Sequence, residues 1–292
     1  GGAGGLGLVR RLGAQFGRKD FDVLLIERNR THIWKPLLHE VAAGSLDANM
    51  DEVGYGGHGA RWGYRCFYGT FAGLDRAARV VRTAPLRDEN GDEIIGAHSI
   101  RYDYLVLAVG GVSNDFGVPG VQKHAMFLED RQQADRFRSR LLNACFRVSH
   151  ALANGDDGAQ LNLVIVGGGA TGVELSAELF NAAKALRNYG LEVFDESRMK
   201  VTLIEAGPRI LPALPEKLSN AATEELRALG MEVLTGAVVA EVGADRVRTK
   251  DGREIKADLT LWAAGVRAPD YLADLDGLAV DRANRLLVDA HL

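Results

Sequence analysis

The order of apolar and polar positions predicts two similar strand–helix–strand units in this chain. In the more complete unit, Leu-Val-Ile-Val at 163–166 is a continuous apolar run of the kind found in strands buried in parallel sheets. A segment rich in Ala, Leu and Glu follows the glycines after this run, and KVTLIEA at 200–206 is a second apolar run. Because the pattern changes from strand to helix and back to strand, it indicates an α/β fold.

Glycines separate the first strand from the helix in this unit. Gly167, Gly169 and Gly172 form the motif GxGxxG. In dinucleotide-binding units the first glycine permits a tight turn, the second lets the backbone approach a pyrophosphate, and the third allows close helix packing. Glu205, at the end of the second strand, is placed to accept hydrogen bonds from a ribose 2′-OH. It follows Gly172 by 33 positions instead of about 20, which we interpret as an insertion within residues 179–199.

The amino terminus carries a second glycine cluster, GGAGG. It fits the same motif if Gly2 and Gly5 are the second and third glycines, with the first glycine and its strand just before Gly1. FDVLLIERN at 21–29 then predicts a strand ending at Glu27, 22 positions after Gly5 and again at the ribose-binding position. We therefore expect these 292 residues to be a fragment of a longer protein.

Two dinucleotide motifs in one chain indicate two cofactors. The economical pair is FAD, which stays bound, with NAD, which enters and leaves, and hydride transfer connects them. Glu205 would repel a 2′-phosphate, so the second motif favours NADH over NADPH, although the nearby Arg209 leaves NADPH open.

Two later segments repeat one design. Residues 104–109 predict an apolar strand that enters Gly110-Gly111, and an apolar strand within 257–265 ends in Ala-Ala-Gly. A small residue at a strand end lets the backbone lie close to a bound ring. The expected cofactor neighbours in these segments are Ala108, Gly110, Ala264 and Gly265.

Composition and charge limit the function classes. At 292 residues the chain has room for about two domains, and a net charge of −4 without a dense basic run argues against nucleic-acid binding. Cys66 and Cys145 lie far apart, with no Cys/His spacing typical of zinc, so neither a disulfide framework nor a metal site is expected. No apolar run reaches the ~18 residues of a membrane-spanning helix.

Several motifs together resemble a known family. VGGGATGVELSAEL, VTLIEAGPRILPALP, WAAGVRAPDYL, WKPLLHEVAAGSLD and YDYLVLAVGGVSNDFGVPGV occur in order over nearly the whole chain. They resemble the type II, non-proton-pumping NADH:quinone oxidoreductases of the two-dinucleotide-domain flavoprotein superfamily. The resemblance implies two Rossmann-like, three-layer domains, with the NADH domain inserted into the FAD domain: 1–119 FAD-binding, 120–274 NADH-binding, and 275–292 an incomplete return to the FAD domain.

The same resemblance implies the chemistry. NADH would pass hydride to FAD, and two electrons would then reach a membrane quinone of the respiratory chain. Glu174 would lie near nicotinamide and flavin, where it would orient the carboxamide or assist a proton transfer. Alternatively, an acid in the first helical turn can have no role beyond its favourable interaction with the helix dipole. Pro36 and Leu37 would border the flavin, and Lys35 and His39 are candidates for polar contacts. The expected cofactor-binding residues also include Gly1, Gly2, Gly5, Glu27, Gly167, Gly169, Gly172 and Glu205.

The resemblance also implies a location and leaves alternatives. The longer protein would be peripheral on the cytoplasmic side of a bacterial inner membrane, attached by a carboxy-terminal region beyond Leu292, while the fragment itself would be soluble; a homodimer is compatible. Without a thiol pair beside the flavin, disulfide reductases and sulfide:quinone reductases are excluded. A ferredoxin- or rubredoxin-type reductase and an NADH-binding redox sensor without turnover stay open. Residues 136–152 predict an amphipathic helix, favoured as a solvated face over a quinone or membrane surface.

Overall fold

A computed structural model describes residues 1–88, 90–186 and 196–292 of the protein. Its helices are α1 (Ala3–Phe16), α2 (Leu38–Ala43), α3 (Ala48–Asp51), α4 (Tyr55–Trp62), α5 (Val121–His124), α6 (Arg131–Ala153), α7 (Ala170–Leu186) and α8 (Glu216–Ala228). Short 3-10 turns are Lys35–Leu37, Glu196–Arg198 and Asp270–Leu272. Of the segment 179–199, within which an insertion is expected, residues 187–195 lie outside the described residues.

The described residues also form strands, some between helices and some in consecutive runs. They are β1 (Leu24–Glu27), β2 (Thr31–His32), β3 (Val53–Gly54), β4 (Arg65–Tyr68), β5 (Thr70–Asp75), β6 (Val80–Ala84), β7 (Leu86–Arg87), β8 (Glu93–Ile95), β9 (His98–Arg101), β10 (Val112–Ser113), β11 (Leu161–Val166), β12 (Met199–Ile204), β13 (Glu232–Leu234), β14 (Val239–Val242), β15 (Arg246–Thr249), β16 (Glu254–Lys256), β17 (Leu259–Trp262) and β18 (Val266–Arg267).

The chain divides into two compact units. The first comprises Gly1–Lys35, Asn49–Val112 and Arg267–Leu292, and the second comprises Pro36–Ala48 and Ser113–Val266. These limits differ by several residues from the predicted domain limits, and they assign Pro36–Ala48 to the second unit instead of the first. Which unit holds which cofactor stays a prediction.

The second unit contains a four-stranded parallel sheet. Its order is β13-β12-β11-β17, with β11 paired to β12 on one side and to β17 on the other. This is the 3-2-1-4 order of dinucleotide-binding sheets. Every residue of β11 and of β17 is buried, so layers cover both faces of the sheet, and α6, α7 and α8 pack on its strands. β14, β15 and β16 add a separate antiparallel sheet.

Helix α6 is amphipathic, as the sequence predicted. Its apolar side, which includes Phe137, Leu141 and Cys145, is buried, while Arg136 and Arg140 are exposed. Asp130 caps its first turn by accepting a hydrogen bond from the backbone N–H of Gln133 at 2.9 Å. Burial of one side and hydration of the other are sufficient to hold this helix in the unit.

The first unit combines a parallel pair of strands with small antiparallel sheets. β1 pairs in parallel with β4, and β6 lies between β5 and β9. Val9 of α1, Leu25 of β1, Tyr55 of α4 and Tyr64 form its buried cluster. The helix and strand predicted after the first glycine cluster are therefore α1 and β1, and β1 ends at Glu27 as expected.

One predicted strand of the first unit is not formed. Residues 104–109 pair with no strand in the described residues, and Tyr104 and Val106 are 85% and 61% exposed. Leu107 packs against a small cluster around Leu272. The equivalent strand of the second unit, β17, is held by β11. The prediction is wrong because an apolar run becomes a strand only beside a hydrogen-bonding neighbour.

Candidate functional site

The second glycine turn lies between β11 and α7. Gly167 has a φ of +116°, a conformation that favours glycine, and its N–H donates to the carbonyl oxygen of Ile204 at 2.8 Å. A β-carbon at this position would lie 2.7 Å from the backbone of Ala263. Both the turn and the approach of the neighbouring strand end therefore require glycine here.

The other two glycines of this motif have opposite surroundings. A β-carbon on Gly172 would lie 2.0 Å from the carbonyl oxygen of Gly167, so α7 can pack this closely only without a side chain. A β-carbon on Gly169 would meet no heavy atom within 4 Å. The protein leaves space beside Gly169, next to the first N–H groups of α7, where a pyrophosphate would bind.

Glu205 follows β12 directly and is tied to this turn. Its Oε2 accepts a hydrogen bond from the N–H of Gly168 at 2.7 Å, and its Oε1 accepts one from the N–H of Gly207 at 2.6 Å. Each carboxylate oxygen has capacity for a further hydrogen bond. The side chain is thus held in place before any ligand arrives and can still accept from a ribose hydroxyl.

The first glycine turn has a contact in the same place. The amino-terminal nitrogen of Gly1 forms an ion pair with Oε2 of Glu27 at 2.7 Å, where the second turn has the hydrogen bond from Gly168 to Glu205. Oε1 of Glu27 accepts from the N–H of Asn29 at 3.0 Å. Gly1 therefore occupies the place of Gly168, which supports the predicted register of the GGAGG cluster.

The remaining glycines of the first turn follow from this register. A β-carbon on Gly2 would meet nothing within 4 Å, like one on Gly169. A β-carbon on Gly5 would lie 3.2 Å from the β-carbon of Ala108, so the helix approaches the segment predicted to border the cofactor. In each unit, the residues present leave an open glycine, a close helix and a fixed acid. These features fit an adenine dinucleotide in each unit.

The glycines that follow the two predicted strand ends have similar backbone conformations. Gly110 and Gly265 have φ values of +75° and +69°. Ala264 follows Ala263, whose N–H donates to Val166 at the end of β11 at 2.8 Å. The two segments therefore turn in the same way, although only the second follows a formed strand.

Arg209, which left NADPH open at the sequence level, is engaged by its own loop. Its guanidinium donates to the carbonyl oxygens of Leu211 at 3.2 Å, Pro212 at 2.9 Å and Leu214 at 2.9 Å. A guanidinium has five N–H donors. That of Arg209 donates to three backbone carbonyl oxygens of its own loop. Arg209 is consequently placed to hold the loop after β12, and this favours NADH as the ligand of the second turn.

The WKPLLHE segment joins the two units in sequence. Lys35, Pro36 and Leu37 form a 3-10 turn, followed by α2. Nζ of Lys35 lies 3.5 Å from the carbonyl oxygen of Gly111 within the first unit, and Pro36 is exposed. These positions agree with a polar and an apolar neighbour for a bound ring, but the contacts with flavin stay a prediction.

Glu174 lies in the first turns of α7, two residues after Gly172. Its side chain is 51% exposed, and its Oε2 lies 3.5 Å from Nδ1 of His39 on α2, whose side chain is only 13% exposed. Sequence reasoning singled out both residues but missed their contact. No local signal reveals it, because the two positions are far apart in the chain and meet only where α2 packs on α7.

The cysteines carry no sign of redox chemistry. Burial raises the pKa of the Cys66 thiol to about 11 and that of the Cys145 thiol to about 12, so both are protonated at neutral pH. Both are free thiols. Among residues 1–88, 90–186 and 196–292, no group of His, Cys, Asp and Glu is placed to hold a metal ion.

Comparison with known proteins identifies the family. The family described as pyridine nucleotide-disulphide oxidoreductase matches residues 1–292. The type II NADH:quinone oxidoreductase of Haemophilus influenzae is 44% identical over 99% of this chain and 68% of its own length. The chain belongs to the type II NADH:quinone oxidoreductases. The resemblance found in the sequence is thus confirmed.

Other relatives agree at lower identity. The type II NADH:quinone oxidoreductase Ndh of Mycobacterium tuberculosis is 27% identical over 98% of this chain, which spans 61% of that relative. The structure of NDH2 from Plasmodium falciparum in complex with NADH matches 94% of the chain and 56% of its own length, with a TM-score of 0.79 at 22% identity. These matches confirm the predicted fold class, and the chain spans between about half and two thirds of these relatives.

The two glycines of the second turn predict opposite effects of the same substitution. Gly172→Ala places a methyl group against the Gly167 carbonyl and should destabilise the protein by about 1–3 kcal/mol, through overpacking. Gly169→Ala should leave stability within about 0.5 kcal/mol while weakening NADH binding. Thermal melting and calorimetric titration with NADH separate these effects. Equal losses of stability in the two variants would contradict this assignment of space.

Proposed function

We propose that the protein containing this chain catalyses NADH + H⁺ + quinone → NAD⁺ + quinol, with FAD in the first unit and NADH in the second. The single observation that carries this is that a glycine nitrogen of each turn holds a strand-end carboxylate, as an ion pair between the amino-terminal nitrogen of Gly1 and Glu27 and as a hydrogen bond from the N–H of Gly168 to Glu205. Two such turns provide for two dinucleotides. The names of the relatives supply the electron acceptor, since they are NADH:quinone and NAD(P)H-ubiquinone oxidoreductases.

Different residues of each turn would bind different parts of the cofactor. The open glycines, Gly2 and Gly169, admit the pyrophosphate, while the first N–H groups of α1 and α7 face its charge. Glu27 and Glu205 accept from the ribose hydroxyls of their cofactors. Because both carboxylates are already held by backbone N–H groups, binding needs no reordering of these side chains.

The chain's own catalytic task is positioning. FAD, when bound, supplies the acceptor for the hydride of NADH and the donor of two electrons to the quinone. The reaction takes up one proton from solvent, so the protein needs few titratable groups. Gly110, Ala264 and Gly265 carry little or no side chain, so the backbone at these positions can lie close to the cofactor rings. Correct positioning of the reacting rings can by itself lower the activation barrier by several kcal/mol.

Glu174 is the titratable side chain best placed for the nicotinamide end of NADH. It lies on the helix whose amino end would face the pyrophosphate, and half of its surface is open to solvent. A carboxylate there can accept a hydrogen bond from the nicotinamide carboxamide and so fix the face of the ring.

Anaerobic absorbance of the full-length protein tests the reaction as two halves. The flavin spectrum should bleach on addition of equimolar NADH and return on addition of a soluble quinone. Each half is expected because one dinucleotide turn would hold FAD while the other exchanges NADH for NAD⁺. Bleaching without recovery by quinone would instead identify a protein acceptor, as in ferredoxin-type reductases, or a redox sensor. Absence of bleaching would exclude the proposed reaction.

The loop after β12 predicts the choice between NADH and NADPH. Glu205→Gln removes the charge that opposes a 2′-phosphate and should lower the ratio of kcat/KM for NADH to that for NADPH by about tenfold. Arg209→Gln should leave this ratio unchanged, since the guanidinium is engaged by loop carbonyls. Steady-state assays with both nucleotides provide the ratios. A selective loss of NADPH activity in Arg209→Gln would show that the arginine binds the phosphate.

Because the proposed electron acceptor is a membrane quinone, the proposal also includes where the protein acts. In the described part of the chain, no helix combines the length and apolarity needed to cross a bilayer. We infer that the full-length protein binds the cytoplasmic surface of a bacterial inner membrane peripherally, and a homodimer is compatible with that attachment. Fractionation should place the full-length protein with membranes and release it at alkaline pH; recovery wholly in the soluble fraction would contradict membrane attachment.

A further inference from the structure

The imidazole of His39 and the carboxylate of Glu174 form a contact between two segments that are remote in sequence. Nδ1 of His39 lies 3.5 Å from Oε2 of Glu174, and Nε2 lies 3.9 Å from Oε1 of Glu40. Both helices belong to the second unit, so the contact is internal to one compact body. It connects the segment predicted to border the flavin with the helix of the NADH turn.

The side chains of His39 and Glu174 differ in how freely they can change rotamer. His39 is largely buried on α2, and its neighbours Leu38, Val41 and Ala42 are buried as well. Glu174 is half exposed, and a free glutamate has several side-chain rotamers whose restriction costs up to about 2 kcal/mol. The imidazole is therefore the fixed partner, and the carboxylate is the group whose position is determined.

The helix dipole alone does not account for this arrangement. An acid close to the amino end of α7 is stabilised by the helix dipole wherever its rotamer points. It needs no partner on another helix. The contact with His39 selects one direction for the carboxylate, which is the property that a group orienting a ligand requires.

We propose that His39 is a positioning residue that holds the Glu174 carboxylate in the orientation used on the nicotinamide of NADH. This rests on the proposed function, because it assigns NADH to the turn that precedes α7. His39 itself touches no reacting atom: it acts through Nδ1 on Glu174. Arg138, which lies beside Gly44 at the end of α2, and Glu40 are further charged groups near this helix.

The choice of nitrogen gives a sharp test in the full-length protein. The amide nitrogen of Asn can take the place of Nδ1, because both are bonded to Cγ, whereas that of Gln falls nearer to Nε2. His39→Asn should therefore keep the rate of flavin bleaching by NADH within about twofold. His39→Gln and His39→Leu should slow it by about tenfold, through misplacement of Glu174. The rates come from anaerobic stopped-flow absorbance.

A double-mutant cycle tests the route of the effect. Glu174→Gln should slow bleaching as much as His39→Leu, and the double variant should be no slower than Glu174→Gln alone, because both remove one contact. Glu178→Gln, one turn further along α7, is the matched control and should bleach at the wild-type rate. Additive losses, or equal rates for His39→Asn and His39→Gln, would overturn the proposal.

A second readout does not depend on turnover. The ¹⁵N chemical shift of Nδ1 of His39 should change on Glu174→Gln and stay unchanged on Glu178→Gln. An Nδ1 shift that ignores Glu174 would overturn the positioning role even in an active enzyme. If the wild-type flavin is not bleached by NADH but the shift responds as expected, the contact stands and the proposed function fails, so the two failures are distinguishable.

Discussion

One contact organises each nucleotide turn: a glycine nitrogen of the turn holds the glutamate at the end of the second strand, as an ion pair in the first unit and as a hydrogen bond in the second. In the second unit this bond is 2.7 Å from Gly168 to Glu205, and the other oxygen is held by Gly207. The bond fixes the distance between the strand end and the turn. It also fixes the acid that would bind the ribose, so one carboxylate serves the fold and the ligand together. A site arranged in this way loses little conformational freedom when the nucleotide arrives.

The glycines around this bond are required for different reasons, and the structure separates them. Gly167 and Gly172 are demanded by the protein itself, since a β-carbon on either would meet backbone within 3 Å. Gly169 is demanded by nothing in the protein, because the space beside it is open. A glycine without a structural reason, next to the amino end of a helix, is best explained by a ligand that approaches the backbone. The open space at Gly169 therefore indicates that this turn binds a dinucleotide.

The local sequence pattern predicted several of the strands and helices correctly. The runs that became β1, β11 and β12 and the helices between them followed from periodicity and glycine spacing, because each depends on residues close in sequence. The failure at 104–109 shows the limit of that reasoning. Its apolar pattern resembles that of β17, yet only β17 has β11 beside it. The His39–Glu174 contact was hidden for a related reason, since helix packing across a long sequence separation leaves no local mark.

The placement of four titratable or charged side chains is informative. The two thiols are buried with raised pKa values, so neither competes for electrons as a thiolate. Arg209 is occupied by carbonyls of its loop. Glu174 is different, since it is open to solvent and yet directed by a buried imidazole. In an enzyme whose cofactors supply the reactive atoms, accuracy of placement is what the protein contributes. A half-exposed carboxylate anchored by an inner helix is suited to that purpose, because it can reach a ligand without losing its direction.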